Sequence, residues 1–441
     1  MLLQDSKLNK SINRVLYTII LFFIIFNPPI LKGFSFTKLF IVISFFVVIM
    51  ITSTFKDAMH IKVIKNWILV LITIFCYYFL ISSLNIIFYE SNTSVIIKNI
   101  IIILSHNVSI VLVSLFVVYL FNKEHSNIYE LFQCYVYAGV IQSILGIASF
   151  FIPKAKEFFN SLAAINSNSV FIREAMLNSS HRNFGFASQL YDNFGFAMSI
   201  IAILALICGL RERKINYLFF IMISFVAIIN ARTSIILIGI SVILLLIRSN
   251  QPYKDFLRNI TILVLLIYIA VIFYSNFDFS MSQTTKWLKT GIDEMLSLVM
   301  NNQRVGYFNV LFNKFIFFPE SIFELVIGTG MLPSDLVGRG TDVGYVQNIW
   351  QYGILGSSLI IYFYAYAFKK WIAKTTNYSK LFAILLCVMM AIYMIKLNCF
   401  GYGQAATIYM PIMIYALYSE YKEDLNENVY IPINFVDLSN K

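Results

Sequence analysis

The sequence predicts an all-α polytopic integral membrane protein with about twelve transmembrane helices and two long outer loops that carry short amphipathic helices. Three observations lead there. The chain of 441 residues is 59% hydrophobic and only 12% charged, with a mean hydropathy of +0.78, whereas a soluble domain holds about 25% charged and about 45–50% apolar residues. The apolar surplus is gathered into runs of about 20 residues, the length at which a helix crosses hydrocarbon with its own backbone groups satisfied. The basic residues cluster between those runs, so the net charge of +11 reads as membrane topology and not as nucleic-acid binding.

In chain order the runs cover residues 15–31, 38–55, 67–89, 99–121, 131–152, 194–210, 215–230, 233–247, 259–275, 343–368, 381–397 and 403–419. The first reads as a retained span, because Asn27-Pro28-Pro29 follows where a cleaved leader would carry small residues. The seventh and eighth are short and are parted only by Asn230-Ala231-Arg232-Thr233. With the N-terminus inside, nineteen Lys and Arg residues fall in cytoplasmic segments, and only Lys32, Lys38, Lys98, Arg232 and Lys396 in short outer turns. Both termini, with the tail 420–441, are therefore expected in the cytoplasm. Residues 1–441 are expected to form one transmembrane domain, the head and tail being too short for a core of their own. The five cysteines lie within or at the ends of apolar runs with no CxxC spacing, so neither disulfides nor a metal site is expected.

Two outer segments, 153–193 and 276–342, break the short-loop pattern and are the places to look for chemistry. In the second, Trp287, Ile292, Met295, Leu296 and Val299 share one helical face, as do Val305, Phe308, Leu311, Phe312 and Phe315. Both pieces read as amphipathic helices against the bilayer or over a cavity. The first loop offers Arg173, His181 and Arg182, and closes with Asp192 at the membrane. Arginine grips phosphate oxygens with a planar two-donor fork, so outer arginines beside lipid headgroups have a natural ligand. Arg232 sits at the tip of a span pair with almost no loop, where an ionisable group is costly and functional unless it merely snorkels. The second loop offers Arg304, Tyr307, Gly328, Gly330, Arg339 and Asp342, and runs into Tyr345 and Trp350. Here arginines supply cations, glycines allow close approach of backbone to a ligand, aromatic rings stack on sugars or anchor at the interface, and Asp342 is the carboxylate placed to act as a base.

The chain resembles the O-antigen polymerase (Wzy) and O-antigen ligase group of bacterial envelope glycosyltransferases. The likeness rests on about twelve spans, the Asn-Ala-Arg-Thr step at 230–233, Arg304 a few residues before Phe308, and Ile-Gly-Thr-Gly (327–330) followed by Asp-Val-Gly-Tyr (342–345) and Gly-Ile-Leu-Gly (353–356). It is detailed over about 194–360 and topological elsewhere. What it implies is polymerisation of undecaprenyl-pyrophosphate-linked repeat units at the outer face of the inner membrane, without cofactor or nucleotide sugar, alongside a flippase and a chain-length regulator. It implies catalytic roles for Asp342, Arg232 and Arg304, and substrate binding by Arg173, His181, Arg182, Arg339, Tyr307, Tyr345, Trp350, Gly328 and Gly330. Ligases of this group carry a histidine in the long outer loop, and 276–342 has none, which favours the polymerase. The Arg-x15-Gly repeats of some polymerases are absent, since sixteen residues after Arg173, Arg182, Arg304 and Arg339 stand Gln189, Met198, Glu320 and Leu355. A lipid-linked oligosaccharide flippase is the non-enzyme alternative, although the two halves show no matching pattern.

Overall fold

The computed structural model describes residues 2–29, 36–50, 61–89, 93–123, 126–166, 182–187, 191–211, 214–248, 283–301, 303, 305–333, 340–375, 377–400 and 405–429. Among these residues there is no strand. The helices are α1 (Leu2–Phe26), α2 (Phe36–Met50), α3 (Lys62–Tyr89), α4 (Thr93–Lys123), α5 (Ile128–Phe151), α6 (Pro153–Asn166), α7 (Tyr191–Arg211), α8 (Ile215–Asn230) and α9 (Thr233–Arg248). They continue with α10 (Gln283–Asn301), α11 (Gly306–Val310), a π turn at Leu311–Phe315, α12 (Ile322–Ile327), α13 (Gly344–Lys374), α14 (Asn377–Tyr393) and α15 (Ala406–Val429). Eleven of the apolar runs overlap helices, and the run 259–275 lies outside the described residues.

Among the described residues, four helical segments, Ile64–Asn85, Ile96–Lys123, Ile128–Phe151 and Asp192–Arg211, are long and apolar enough to cross a membrane. The surface of the bundle supports a membrane-embedded protein. On α4, Ile97, Ile101, Leu104 and Val108 form an exposed stripe at helical spacing, and α3 exposes Leu69, Ile72, Phe79 and Leu80. Such apolar stripes are costly in water but neutral against lipid.

Helix α7 is the core. Its residues from Phe194 to Cys208 are buried on all sides, as expected of a helix that is apolar all round. It packs against α5, α8, α9, α14 and α15. Close approach occurs at Gly195, where a Cβ would fall 2.2 Å from that of Ala231, at the corner joining α8 to α9. At its other end Arg211 lies over the ring of Tyr129, 3.3 Å from the centroid, and the neighbouring Glu130 pairs with Lys10 at 2.9 Å and with Arg14.

Helix α13 is broken at Gly353, whose φ of 64° and ψ of −177° lie outside the helical region. The interruption frees the carbonyls of Trp350 and Gln351, and Thr329 N–H and Gly330 N–H donate to them at 2.8 and 3.1 Å. Tyr77 Oη on α3 donates to the carbonyls of Ile327 and Tyr352 at 2.9 and 3.3 Å. Irregular backbone within an apolar bundle is tolerated where protein satisfies it, as here.

Candidate functional site

The residues flagged in the sequence begin to converge at the α8–α9 corner. Helix α8 ends where Ala231 turns extended, at φ −146° and ψ 117°. The buried Asn230 side chain fastens a second strand of chain to this corner: its Oδ1 accepts from Asn183 N–H at 2.8 Å, and its Nδ2 donates to Asn183 O at 2.9 Å. Gln142 Nε2 on α5 donates to Phe184 O. These bonds carry the segment 182–187 over α5 and bring Arg182 beside Arg232.

Helix α10 forms the roof over Arg232. Trp287, Gly291 and Glu294 lie on one of its faces, spaced i, i+4, i+7. The Arg232 guanidinium donates to Trp287 O at 2.5 Å, pairs with Glu294 Oε2 at 3.3 Å and lies 4.5 Å from the centre of the Trp287 ring. Arg182 approaches the same ring at 5.5 Å, so one indole faces two guanidinium groups, a favourable cation–π arrangement. Gly291 is required by this fit, since a Cβ there would fall 2.3 Å from Arg232 Cδ and 2.5 Å from its Nε. Burial pulls the Arg232 guanidinium below its ordinary range, Glu294 opposes the shift and Arg182 adds to it; arginine stays charged throughout.

A second charged group faces the first. The turn that follows α14 places the Lys396 ammonium 3.6 Å from Asp192 Oδ2, 3.5 Å from Asp342 Oδ2 and 2.5 Å from Tyr307 Oη. Asp342 reaches this position because Asn398 Nδ2 donates to Asn348 Oδ1 at 2.6 Å, tying the turn to α13, while Thr341 Oγ1 donates to Phe315 O at 2.5 Å. Burial raises the Tyr307 phenol above its ordinary range, against the opposite pull of Lys396.

Between the two groups lies a cavity of about 320 Å³, within the range of about 300–1,000 Å³ usual for small-molecule sites. Arg182, Asp192, Arg232, Thr233, Trp287, Glu294, Tyr307, Tyr393 and Lys396 give it polarity, and Ile236, Leu237, Leu311, Ile392 and Ile395 give it apolar wall. Among the described residues, the buried Arg232 Nε, Thr233 Oγ1 and Tyr393 Oη on its lining have no hydrogen-bond partner. Buried polar groups are rarely left so, and a bound polar ligand is a common reason when they are.

Of the residues singled out in the sequence, Arg182, Asp192, Arg232, Trp287, Tyr307 and Leu311 line this cavity, and Asp342 touches it through Lys396. Gly328, Gly330, Tyr345 and Trp350 do not line it. Their neighbours explain why they are where they are. Gly328 and Gly330 have φ of 95° and 68° and pack on Gly353 and Ser82. Tyr345 Oη donates to Ala391 O at 2.9 Å, and Trp350 Nε1 to Phe317 O at 3.1 Å. Tyr345 thus ties α13 to α14, and Trp350 ties it to the segment after the π turn. Arg173, His181, Arg304 and Arg339 lie outside the described residues. Of the apolar face expected on α10, Trp287 lines the cavity and Leu296 is exposed, while Gly291 and Glu294 meet Arg232.

Sequence reasoning passed over Glu294 and Tyr393, and counted Lys396 only toward topology. Lys396 carried the same signal as Arg232, a lone cation at the end of an apolar run. Glu294 had no such mark, being one acid among several on an amphipathic helix. No protein-family model matches the chain, and no curated protein matches its sequence.

Proposed function

We propose that the protein is a membrane-embedded glycosyltransferase that polymerises undecaprenyl-pyrophosphate-linked oligosaccharide repeats into a surface polysaccharide, in the manner of the O-antigen polymerases it resembles. The observation that carries this reading is the cavity. It joins two guanidinium groups stacked on one indole to an apolar wall, a combination suited to a lipid-linked diphosphate, and it holds carboxylate and hydroxyl groups within reach. Glycan transfer needs cations for the departing pyrophosphate and a group to take the acceptor's proton.

In this reading the protein has twelve spans and lies in the inner membrane with its termini in the cytoplasm. The cavity then opens at the outer end of the bundle, where the start of α7, the α8–α9 corner and the end of α14 meet α10. The cluster of Lys10, Arg14, Glu130 and Arg211 marks the cytoplasmic end. The broken helix α13 is a feature shared with transporters, whose interrupted helices turn freed backbone toward a substrate or ion. In this chain the freed carbonyls of Trp350 and Gln351 are taken by Thr329 and Gly330, which favours a structural break over a transport site.

Deletion of the gene tests the assignment. Loss of a polymerase should leave lipid A core capped with a single repeat unit on a gel. Bare core, with long chains accumulating on undecaprenyl pyrophosphate, would instead identify a ligase.

A further inference from the structure

The polymerase reading requires a group that removes the proton from the acceptor's hydroxyl, and the sequence pointed to Asp342. The structure offers a better-placed carboxylate. Asp192 lines the cavity and Asp342 does not. The Asp192 side chain is 18% exposed, against 51% for Asp342. Their supports differ as well. Asp192 stands in the first turn of α7, the most deeply packed helix of the bundle, whereas Asp342 lies on non-helical backbone just before α13. Chemistry built on a rigid element is held more closely to its working geometry.

The neighbours of Asp192 suit a sugar. Lys396 lies 3.6 Å from its Oδ2 and holds the Tyr307 hydroxyl at 2.5 Å. Tyr393 stacks flat on Phe196 of α7, with ring centroids 4.0 Å apart. Its buried hydroxyl has no partner among the described residues although the residue lines the cavity. A carboxylate, an ammonium and an unpartnered phenol on one wall make an acceptor and donors for sugar hydroxyls. Arg182, Arg232 and Trp287 line the same cavity.

We propose that Asp192 is the catalytic residue that takes the proton of the acceptor sugar's hydroxyl, that Lys396 positions it, and that Tyr393 binds the same sugar. This inference rests on the polymerase reading and assigns its acceptor subsite. In the step, the hydroxyl proton passes to the Asp192 carboxylate while the acceptor oxygen forms a bond to the donor's anomeric carbon. The bond from that carbon to the pyrophosphate oxygen breaks, and its electron pair leaves with undecaprenyl pyrophosphate beside Arg182 and Arg232. Asp192 then returns the proton to water. No oxidant, reductant or further reactant enters.

The test uses membranes of the deletion strain in which transfer to lipid A core is also blocked, so that on this reading lipid-linked single repeats accumulate, supplemented with the purified full-length protein in nanodiscs. Repeat addition is followed on a gel, and binding of undecaprenyl pyrophosphate alone is measured in parallel. Asp192→Asn should slow repeat addition by about 100-fold or more, the usual scale for loss of a general base, while pyrophosphate affinity stays within about threefold. Asp192→Glu should recover part of the rate. Asp342→Asn should cost less than about tenfold, and Lys396→Met should fall between the two. If Asp192→Asn does not reach the membrane, Asp192→Ser replaces it under the same criteria. A near-normal rate from either neutral variant overturns the assignment of Asp192 and leaves the polymerase standing. Equal loss of rate and of pyrophosphate affinity also overturns it, because Asp192 would then serve the donor site. If the wild-type protein adds no repeats and the deletion strain keeps its ladder, the polymerase reading itself fails.

Discussion

Gly353→Ala should unlock the break in α13. The residue holds φ 64° with ψ −177°, a region populated almost only by glycine, and forcing a side chain into it costs about 1–3 kcal/mol. A Cβ there would lie 2.3 Å from Val326 O, 2.4 Å from Ile327 C and 2.5 Å from Gly328 N. All three are backbone atoms, so no side chain can swing aside. Relief requires lifting the 326–330 segment off the helix. That strains the bonds from Thr329 N–H, Gly330 N–H and Thr329 Oγ1 to α13, each worth about 1 kcal/mol net. The sum is about 4–6 kcal/mol, which at roughly 2 °C per kcal/mol for a large chain lowers the thermal midpoint by about 8–12 °C. Intrinsic fluorescence of the purified protein during heating in detergent reads the change. Gly239→Ala is the control, since no atom lies within 4 Å of a Cβ at that position, and its midpoint should stay level or rise slightly. A Gly353→Ala protein that melts with the wild type would refute the locked crossing of Gly328 and Gly353.

Three further outcomes follow from the same geometry. Arg232→Ala should abolish the polysaccharide ladder and Arg232→Lys should restore only part of it, because one ammonium cannot replace the fork that spans Glu294 and the Trp287 carbonyl; full ladders from both, at normal protein levels, would make Arg232 a membrane anchor. Gly291→Ala should push the guanidinium from its place and cut repeat addition by about tenfold, the effect of roughly 1.4 kcal/mol on a barrier, with little change in melting; undiminished activity would show that the roof of α10 is not fitted to Arg232. Alkaline phosphatase fused after Lys289 should be active and after Lys214 inactive, and the reverse pattern would invert the proposed orientation.

The helices were legible in the sequence because hydropathy is a local property: each run reports its own need to leave water, whatever it packs against. Arg232 was legible for the same reason, since a cation between two apolar runs is costly wherever they fold. The rest of the site was hidden because it is assembled from distant parts of the chain. Asp192 and Lys396 are 204 positions apart and meet only because α14 packs on α7. Asn230 shows how indirect the wiring is. Its amide reads in sequence as a polar residue at a helix end, yet it decides where Arg182 goes by holding Asn183. Gly328, Gly330 and Trp350 were open to misreading for a different reason. A glycine that lets backbone approach a ligand and a glycine that lets backbone approach backbone look alike until the neighbour is seen, and here the neighbours are Gly353 and Ser82.

The pairing of charges at the cavity explains how cations suited to a diphosphate can stand in an apolar bundle without one. Arg182, Arg232 and Lys396 would be prohibitively costly there if left bare, since a buried unpaired charge costs several kcal/mol. Glu294 faces Arg232, while Asp192 and Asp342 face Lys396, so much of the site's positive charge is balanced from within. The balance is incomplete in one useful respect. Arg232 has one edge committed to Glu294 and the Trp287 carbonyl, while its Nε, buried, has no partner among the described residues. A carboxylate salt bridge across the whole guanidinium would have stabilised the resting state further, but an incoming anion would then have to break it before gaining anything. Leaving one buried donor uncommitted raises the resting energy by about 1–3 kcal/mol, which an anionic leaving group recovers as its charge develops, and catalysis draws on that difference.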